Sequence, residues 1–183
     1  MNSKYGVMLG SVAWANDSLL PGTRSRELLN LANCNSSEFV FGATEIAAGT
    51  KQPLHRHHQT RVDYLVSGRA WVRRGKYRVE IGPESSCYFP ANIPHAYEVI
   101  GDEPLSLLHT YASEKNTGSP LTELSSEEEA NRFDTLNLFE NRWAVADDFE
   151  PWQLWEPSKG RKGLHWKTLF DSNHGGLLEM HYG

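Results

Sequence analysis

Two histidines lie two residues apart in the stretch Gly49-Thr50-Lys51-Gln52-Pro53-Leu54-His55-Arg56-His57-His58-Gln59. Residues i and i+2 of a strand point to the same face, so the imidazoles of His55 and His57 can reach one ion. A third histidine, His95, follows Pro90-Ala91-Asn92-Ile93-Pro94, where two prolines stiffen the chain before a strand. Neutral imidazole is a ligand of iron, zinc, copper and nickel, bound at about 2.0–2.2 Å. The sequence therefore predicts a metal site made by His55, His57 and His95.

The residues around these histidines read as short strands separated by turns. Gly, Pro, Asn or Asp interrupts the β-rich segments every 8–12 residues between Phe39 and Tyr111. The predicted strands are 39–47, 61–66, 70–73, 76–81, 87–89, 96–100 and 105–111. Such spacing predicts an all-β fold, a sandwich or barrel, in which antiparallel closure protects the strand edges.

The two histidine-bearing stretches resemble the paired motifs of the cupin superfamily. Gly49 through Gly68 is similar to the first motif, G-x5-H-x-H-x3-E-x6-G, and Gly82 through Tyr97 is similar to the second, a glycine and a strand followed by P-x-x-x-P-H. The resemblance implies a double-stranded β-helix, or jelly-roll barrel, over about residues 39–111. It also implies a divalent metal ion inside that barrel.

One position departs from the family pattern. The first motif usually supplies a glutamate four residues after its second histidine, and this chain has Arg61 there. Three histidines without a carboxylate resemble the acetylacetone-type and cysteine-type dioxygenase cupins, which use iron. Oxalate-degrading cupins, quercetin-type dioxygenases and dimethylsulfoniopropionate lyases keep the glutamate. The resemblance therefore favours Fe(II) as the cofactor, with Zn, Mn or Ni as alternatives.

Arg61 also sets the charge of the predicted site. Three neutral imidazoles leave the ion's +2 charge uncompensated, so the site favours a small anionic ligand such as a carboxylate or an enolate. Arg61 and Asp63 share strand parity with His57 and are predicted to face the same way. They are either a structural ion pair or catalytic residues. In the second case Arg61 binds a substrate carboxylate, and Asp63 acts as a general base or as a metal ligand shifted from the usual glutamate position.

Three functions are compatible with these residues. The favoured one is an iron-dependent dioxygenase that acts on a small anionic organic molecule. The second is a redox-neutral lyase or sugar isomerase that uses Zn, Mn or Ni as a Lewis acid, and the third is a ligand-binding or sensory cupin without catalysis. Tyr97 and His109 are further candidates for substrate contact if the strand register points them inward, and ordinary core or rim residues if it does not.

The segments outside the barrel are predicted to be less regular. Residues 1–38 form an N-terminal arm, and residues 112–183 hold a polar linker, a short helix over 125–133 with a serine N-cap, and an aromatic-rich extension. A gapless shift of 141 residues pairs Trp14 with Trp155 and 28–30 with 169–171. The extension is therefore either a partial repeat that leads into a second barrel or a chance match. Its tryptophans predict packing on the barrel or on a second subunit, and so a homodimer.

The composition restricts the partners of the chain. Its 183 residues carry 18 Lys and Arg against 23 Asp and Glu, a net charge of −5 without a basic run, which argues against nucleic-acid binding. No segment approaches the roughly 20 apolar residues that cross a bilayer. The apolar stretch near the N-terminus is short and broken by glycine, so no signal peptide is expected and the cytoplasm is the predicted location.

Overall fold

The computed structural model describes residues 7–35, 39–112 and 121–132, and the backbone of 144–146, 153–154 and 165–166. Its strands are β1 Ala15–Asn16, β2 Thr23–Leu29, β3 Phe39–Ile46, β4 His55–His57, β5 Arg61–Ser67, β6 Arg69–Arg74, β7 Tyr77–Ile81, β8 Ser85–Phe89, β9 His95–Ile100, β10 Leu105–Ala112, β11 Thr122–Leu124, β12 Ala144–Ala146, β13 Gln153–Leu154 and β14 His165–Trp166. Its helical segments are a 3₁₀ turn at Leu9–Ser11, α1 Leu31–Cys34 and α2 Glu127–Arg132.

Two large antiparallel sheets build the fold, and β13 and β14 form a separate antiparallel pair. The larger sheet has the strand order β1-β2-β3-β10-β5-β8-β12, and the smaller sheet has the order β11-β4-β9-β6-β7. Buried and half-buried residues alternate along all of β10, as expected for a strand that lies between a core and a wetter face. The molecule is therefore an all-β jelly roll, and the fold class predicted from the sequence is confirmed.

The apolar core lies between the two sheets and draws residues from both. Its members are Ile46, Leu65, Ala70, Val72, Ile81, Cys87, Phe89, Tyr97, Val99, Leu105 and Leu107. Full burial of a single Val, Leu, Ile or Phe side chain stabilises a fold by about 1.5–3 kcal/mol. Closure of the barrel therefore rests mainly on apolar packing, on which the His95 ring stacks at 4.2 Å from Phe89.

The glycine at the β5–β6 turn packs closely against the chain that leads into β10. Gly68 has φ +85°, and a Cβ added there would lie 2.5 Å from the carbonyl oxygen of Pro104. Gly49, at the start of the first histidine motif, also has positive φ (+66°), but a Cβ there would meet no atom within 4 Å. Gly68 is therefore required both by its backbone conformation and by the close approach of Pro104. Gly49 is required by its backbone conformation alone.

Segments outside the predicted barrel add strands to both sheets. β2 pairs with β3, with Thr23 opposite Ile46, and β11 pairs with β4, with Thr122 opposite His57. β12 pairs with β8 at the far edge of the larger sheet. The division of the chain at residues 38 and 112 stays a prediction, but strands from either side complete the sheets.

The predicted helix after the barrel is present as α2. Ser126 Oγ accepts a hydrogen bond from the backbone N–H of Glu129 at 3.1 Å, and Glu129 accepts one from the backbone N–H of Ser126 at 2.8 Å. This reciprocal pair is a capping box. The longest described helix has only six residues, so no described helix can cross a membrane. The proposed repeat and most of the aromatic extension lie outside the described residues.

Candidate metal centre

Two neighbouring strands of the smaller sheet carry the three predicted ligands. β4 supplies His55 and His57, and β9 begins at His95, which lies directly opposite His55. All three side chains are buried, and one ligand nitrogen from each lies within 4.8 Å of the others. The structure thus brings together the three histidines that the sequence singles out.

The outer nitrogen of each ring is held by a specific partner. Nδ1 of His55 donates to the carbonyl of Pro53 at 3.0 Å, and Nδ1 of His95 donates to the carbonyl of Ile93 at 2.8 Å. Nδ1 of His57 lies 3.1 Å from Thr122 Oγ1. A carbonyl oxygen can only accept, so the partners of His55 and His95 fix the proton of these two rings on Nδ1 and leave Nε2 with the lone pair for a metal.

The inner nitrogen of His95 is buried and unsatisfied, and all three rings are neutral. His95 Nε2 has no hydrogen-bond partner among the described residues, which is unusual for a buried polar atom and is explained if a ligand occupies the position. Burial lowers the pKa of His55 to about 4 and lowers the pKa values of His57 and His95 well below the ordinary value. The rings are therefore neutral near pH 7, as metal coordination requires.

Arg61 reaches into this cluster from the first residue of β5. Its Nη1 lies 3.2 Å from His57 Nε2 and 2.5 Å from the hydroxyl of Tyr111. Because a guanidinium has no acceptor, His57 Nε2 must accept this hydrogen bond, and the proton of the neutral ring is on Nδ1. The arginine at the family's glutamate position thus occupies the lone pair of one predicted ligand.

A buried network anchors Arg61 on its other side. Its Nε donates to Asp63 Oδ1 at 2.6 Å, and the hydroxyl of Tyr97 donates to Asp63 Oδ2 at 2.6 Å. Burial opposes the charge of the guanidinium, but Asp63, Tyr111 and Tyr97 together outweigh burial and raise the pKa of Arg61. Both Asp63 oxygens are engaged, so in this arrangement the carboxylate holds Arg61 rather than facing a substrate.

A cavity of about 110 Å³ opens beside His55 and His57, which line it. The predicted substrate contacts Tyr97 and His109 line it together with Arg61. His109 Nδ1 lies 2.9 Å from Thr44 Oγ1, and burial lowers the pKa of this ring well below its ordinary value. Both residues therefore line the wall of the cavity, and their contact with a substrate stays a prediction.

Several lining residues have no clear signal in the sequence. The segment from β1 to β2 contributes Asp17, Thr23, Ser25 and Glu27, and β11 contributes Thr122. Polar side chains in short strands give neither apolar alternation nor ligand spacing. Tyr111 is the exception, because its parity with His109 in a predicted strand could have indicated that it faces the cavity.

The donor set fits a divalent metal ion, with one reservation about charge. Three neutral imidazoles with fixed Nδ1 protons and an unpartnered Nε2 on His95 are what iron, zinc, manganese or nickel would use. However, two positive unit charges 4 Å apart at an effective dielectric of 20 repel each other by roughly 4 kcal/mol. The Arg61 guanidinium therefore favours an ion that arrives together with an anion.

Comparison with known proteins agrees with this architecture. Residues 42–111 match the family model for the cupin domain, whereas no curated protein sequence matches the chain. The polyketide cyclase RemF from Streptomyces resistomycificus is 18% identical over 72% of this chain and 92% of its own, with a TM-score of 0.54. The cupin domain of Cnp3 from Schizosaccharomyces pombe is 19% identical over 60% of this chain and 74% of its own, with a TM-score of 0.51.

A third similar structure belongs to a longer chain. A variant of oxalate decarboxylase from Bacillus subtilis is 18% identical over 57% of this chain, with a TM-score of 0.50, and the match covers only 28% of that enzyme. At these identities the similarity concerns the fold alone. The family model, the two histidine motifs and the jelly roll agree, and residues 42–111 of the chain match a cupin domain.

Proposed function

We propose that this protein is a metal-dependent cupin enzyme that acts on a small anionic organic molecule, and that iron-dependent dioxygenation is its reaction. The observation that carries the proposal is the cluster of three neutral histidines with their Nδ1 atoms bound outward. A bound Fe(II) ion would supply a centre at which dioxygen and an organic anion are activated together.

The chain's own residues would bind and orient the substrate. Arg61 lines the cavity and offers a cation where the family usually has a carboxylate, so we assign it to a substrate carboxylate. Asp63 acts through Arg61, because its two oxygens hold the guanidinium and the Tyr97 hydroxyl. Tyr97 and His109 form part of the cavity wall and contact the rest of a small substrate.

A redox-neutral reaction is the second candidate. The Arg61 charge beside a Lewis acid suits the stabilisation of an enolate or a carboxylate, a task that Zn, Mn or Ni can perform without oxygen. The solved oxalate decarboxylase contains Mn(II) centres, so the fold accommodates metals other than iron. A lyase or a sugar isomerase falls in this class, and a sensory cupin without catalysis is the remaining alternative.

The test combines metal analysis with oxygen consumption. We expect one metal ion per chain in protein reconstituted with Fe(II) under anaerobic conditions, and oxygen uptake when a panel of small carboxylates is added to the iron form. His57→Ala should lose the metal and keep the fold, because the core packs without that ring. Turnover without oxygen uptake would favour the redox-neutral class. A folded protein that binds none of Fe, Zn, Mn, Ni or Cu would overturn the proposal.

The remaining assignments complete the proposal and rest on the sequence. We assign the protein to the cytoplasm, as a homodimer joined through the aromatic extension, with a small anionic molecule and neither nucleic acid nor a membrane as its partner.

A further inference from the structure

One hydrogen bond joins the predicted substrate-binding residue to a predicted metal ligand. Arg61 Nη1 lies 3.2 Å from His57 Nε2 in a buried environment. A guanidinium can only donate, so it uses the lone pair of that nitrogen. A metal ion coordinated by His57 requires the same lone pair. In the ligand-free arrangement Arg61 and a metal ion therefore compete for one atom.

The guanidinium is held firmly on one side. Nε donates to Asp63 at 2.6 Å, and Nη1 also donates to the Tyr111 hydroxyl at 2.5 Å. Within the described residues, the side-chain hydrogen bonds of Arg61 use only Nε and Nη1. The two N–H groups of Nη2 are available to a ligand in the cavity that Arg61 lines. A carboxylate suits these donors, because it accepts charge-assisted hydrogen bonds and compensates the positive charge.

We propose that a carboxylate and the metal ion bind this cavity cooperatively, and that Arg61 is the residue that couples them. The inference rests on the proposed metal-dependent function and narrows its substrate class to carboxylates. A carboxylate draws the guanidinium away from His57 Nε2 and offsets its positive charge, which frees the lone pair for the ion. Thermodynamic linkage then requires that the metal raises the affinity for the carboxylate by the same factor.

This coupling has a consequence for catalysis. Without substrate, Arg61 engages His57, and the ion is held weakly. With substrate, all three imidazoles and the anion surround the ion, so the complete centre forms only when the carboxylate is present. Arg61, at the position where the cupin motif usually has a glutamate, thereby makes metal binding depend on substrate. A glutamate at this position could bind the ion itself and would abolish that dependence.

The test measures metal affinity directly. Metal-free protein is titrated with Co(II), followed by its visible absorption, in 100 mM sodium acetate and in sodium chloride of equal ionic strength. Binding constants are corrected for the Co(II) that acetate binds in solution. For the wild type we expect acetate to tighten Co(II) binding at least five-fold, the lower end of typical coupling. The reciprocal experiment, acetate titrated into metal-free and Co(II)-loaded protein, should give a matching factor.

Two variants identify the coupling residue. Arg61→Met should bind Co(II) without acetate at least as tightly as the wild type does with it, and its acetate effect should vanish. Arg69→Met removes a charge whose side chain is 62% exposed and should keep the wild-type effect. Because Arg61→Met leaves the buried Asp63 unpaired, a double variant, Arg61→Met with Asp63→Asn, removes both charges and serves if the single variant does not fold.

The outcomes separate this inference from the proposed function. One equivalent of Co(II) bound equally well in acetate and in chloride overturns the coupling and leaves the metal site intact. An acetate effect of the same size in the folded Arg61 variants also overturns it, because acetate would then act through the ion alone. Failure of the wild type and of both Arg61 variants to bind Co(II) overturns the metal-dependent function itself.

Discussion

At the scale of single residues, the position of the His57 ring depends on a hydroxyl from outside the family motifs. Thr122 Oγ1 lies 3.1 Å from His57 Nδ1, and Thr122 is directly opposite His57 across the β4–β11 pair. The Nδ1 atoms of the other two ligands donate to backbone carbonyls, so this is the one ring whose orientation a side-chain substitution can change at its outer nitrogen.

Thr122→Val should weaken metal binding. The isosteric methyl group cannot accept the hydrogen bond from Nδ1–H, and loss of such an outer partner typically costs about 10–100-fold in metal affinity. Thr122→Ser keeps a hydroxyl and should remain within a few-fold of the wild type. Competition with a coloured chelator measures both constants, and an unchanged affinity in the valine variant would show that the hydroxyl does not orient the ring.

The three metal-ligand candidates were predictable, and the Arg61–His57 contact was not. The spacing of His55 and His57 on one strand and the rigid approach to His95 gave specific local signals. Strand parity indicated that Arg61, Asp63 and His57 face the same way, and the structure places them so. Parity gives no distance, however, so it could not show that the guanidinium bonds to a ligand nitrogen.

At the scale of strands and turns, β3 and β5 to β10 begin and end within two residues of the predicted positions. Alternating apolar residues and turn glycines carry that information. β2 was missed because its inward residues, such as Thr23, Ser25 and Glu27, line a polar cavity, so the strand lacks an apolar stripe. β11 has only three residues, too few for any period to be read.

Gly68→Ala should cost clearly more stability than Gly49→Ala. Both positions have positive φ, a backbone conformation that costs an alanine about 1–2 kcal/mol. Only at residue 68 would the new Cβ also meet a carbonyl oxygen, that of Pro104, and we expect a further loss of about 1–3 kcal/mol as the β5–β6 turn shifts. Urea unfolding compares the two variants, and equal losses would contradict the steric argument.

At the scale of the whole molecule, the buried histidines should make stability depend on pH. His55 has a pKa of about 4 in the folded protein against 6.5 when unfolded. Below pH 6.5 the unfolded chain therefore binds a proton that the folded protein does not. The contribution of this ring is fully present above pH 6.5 and is lost as the pH falls towards 4, at about 1.4 kcal/mol per pH unit.

Urea unfolding of metal-free protein between pH 7.5 and 4.5 measures this slope. His55→Asn should reduce the slope by about one proton. Leu107→Ala, which removes a buried apolar side chain, should lower the free energy of unfolding by a similar amount at every pH and leave the slope unchanged. A wild-type slope near zero from pH 6.5 to 4.5 would mean that the buried rings take up protons without unfolding.

The strands contributed by β2 and β11 also decide where this barrel can be cut for domain grafting. A fragment trimmed to the family match, residues 42–111, would leave one edge of β3 and one edge of β4 unpaired, open one wall of the cavity and remove the hydroxyl behind His57. Bare strand edges of that kind invite aggregation. The smallest transplantable unit with an intact site therefore runs from about residue 15 to residue 124.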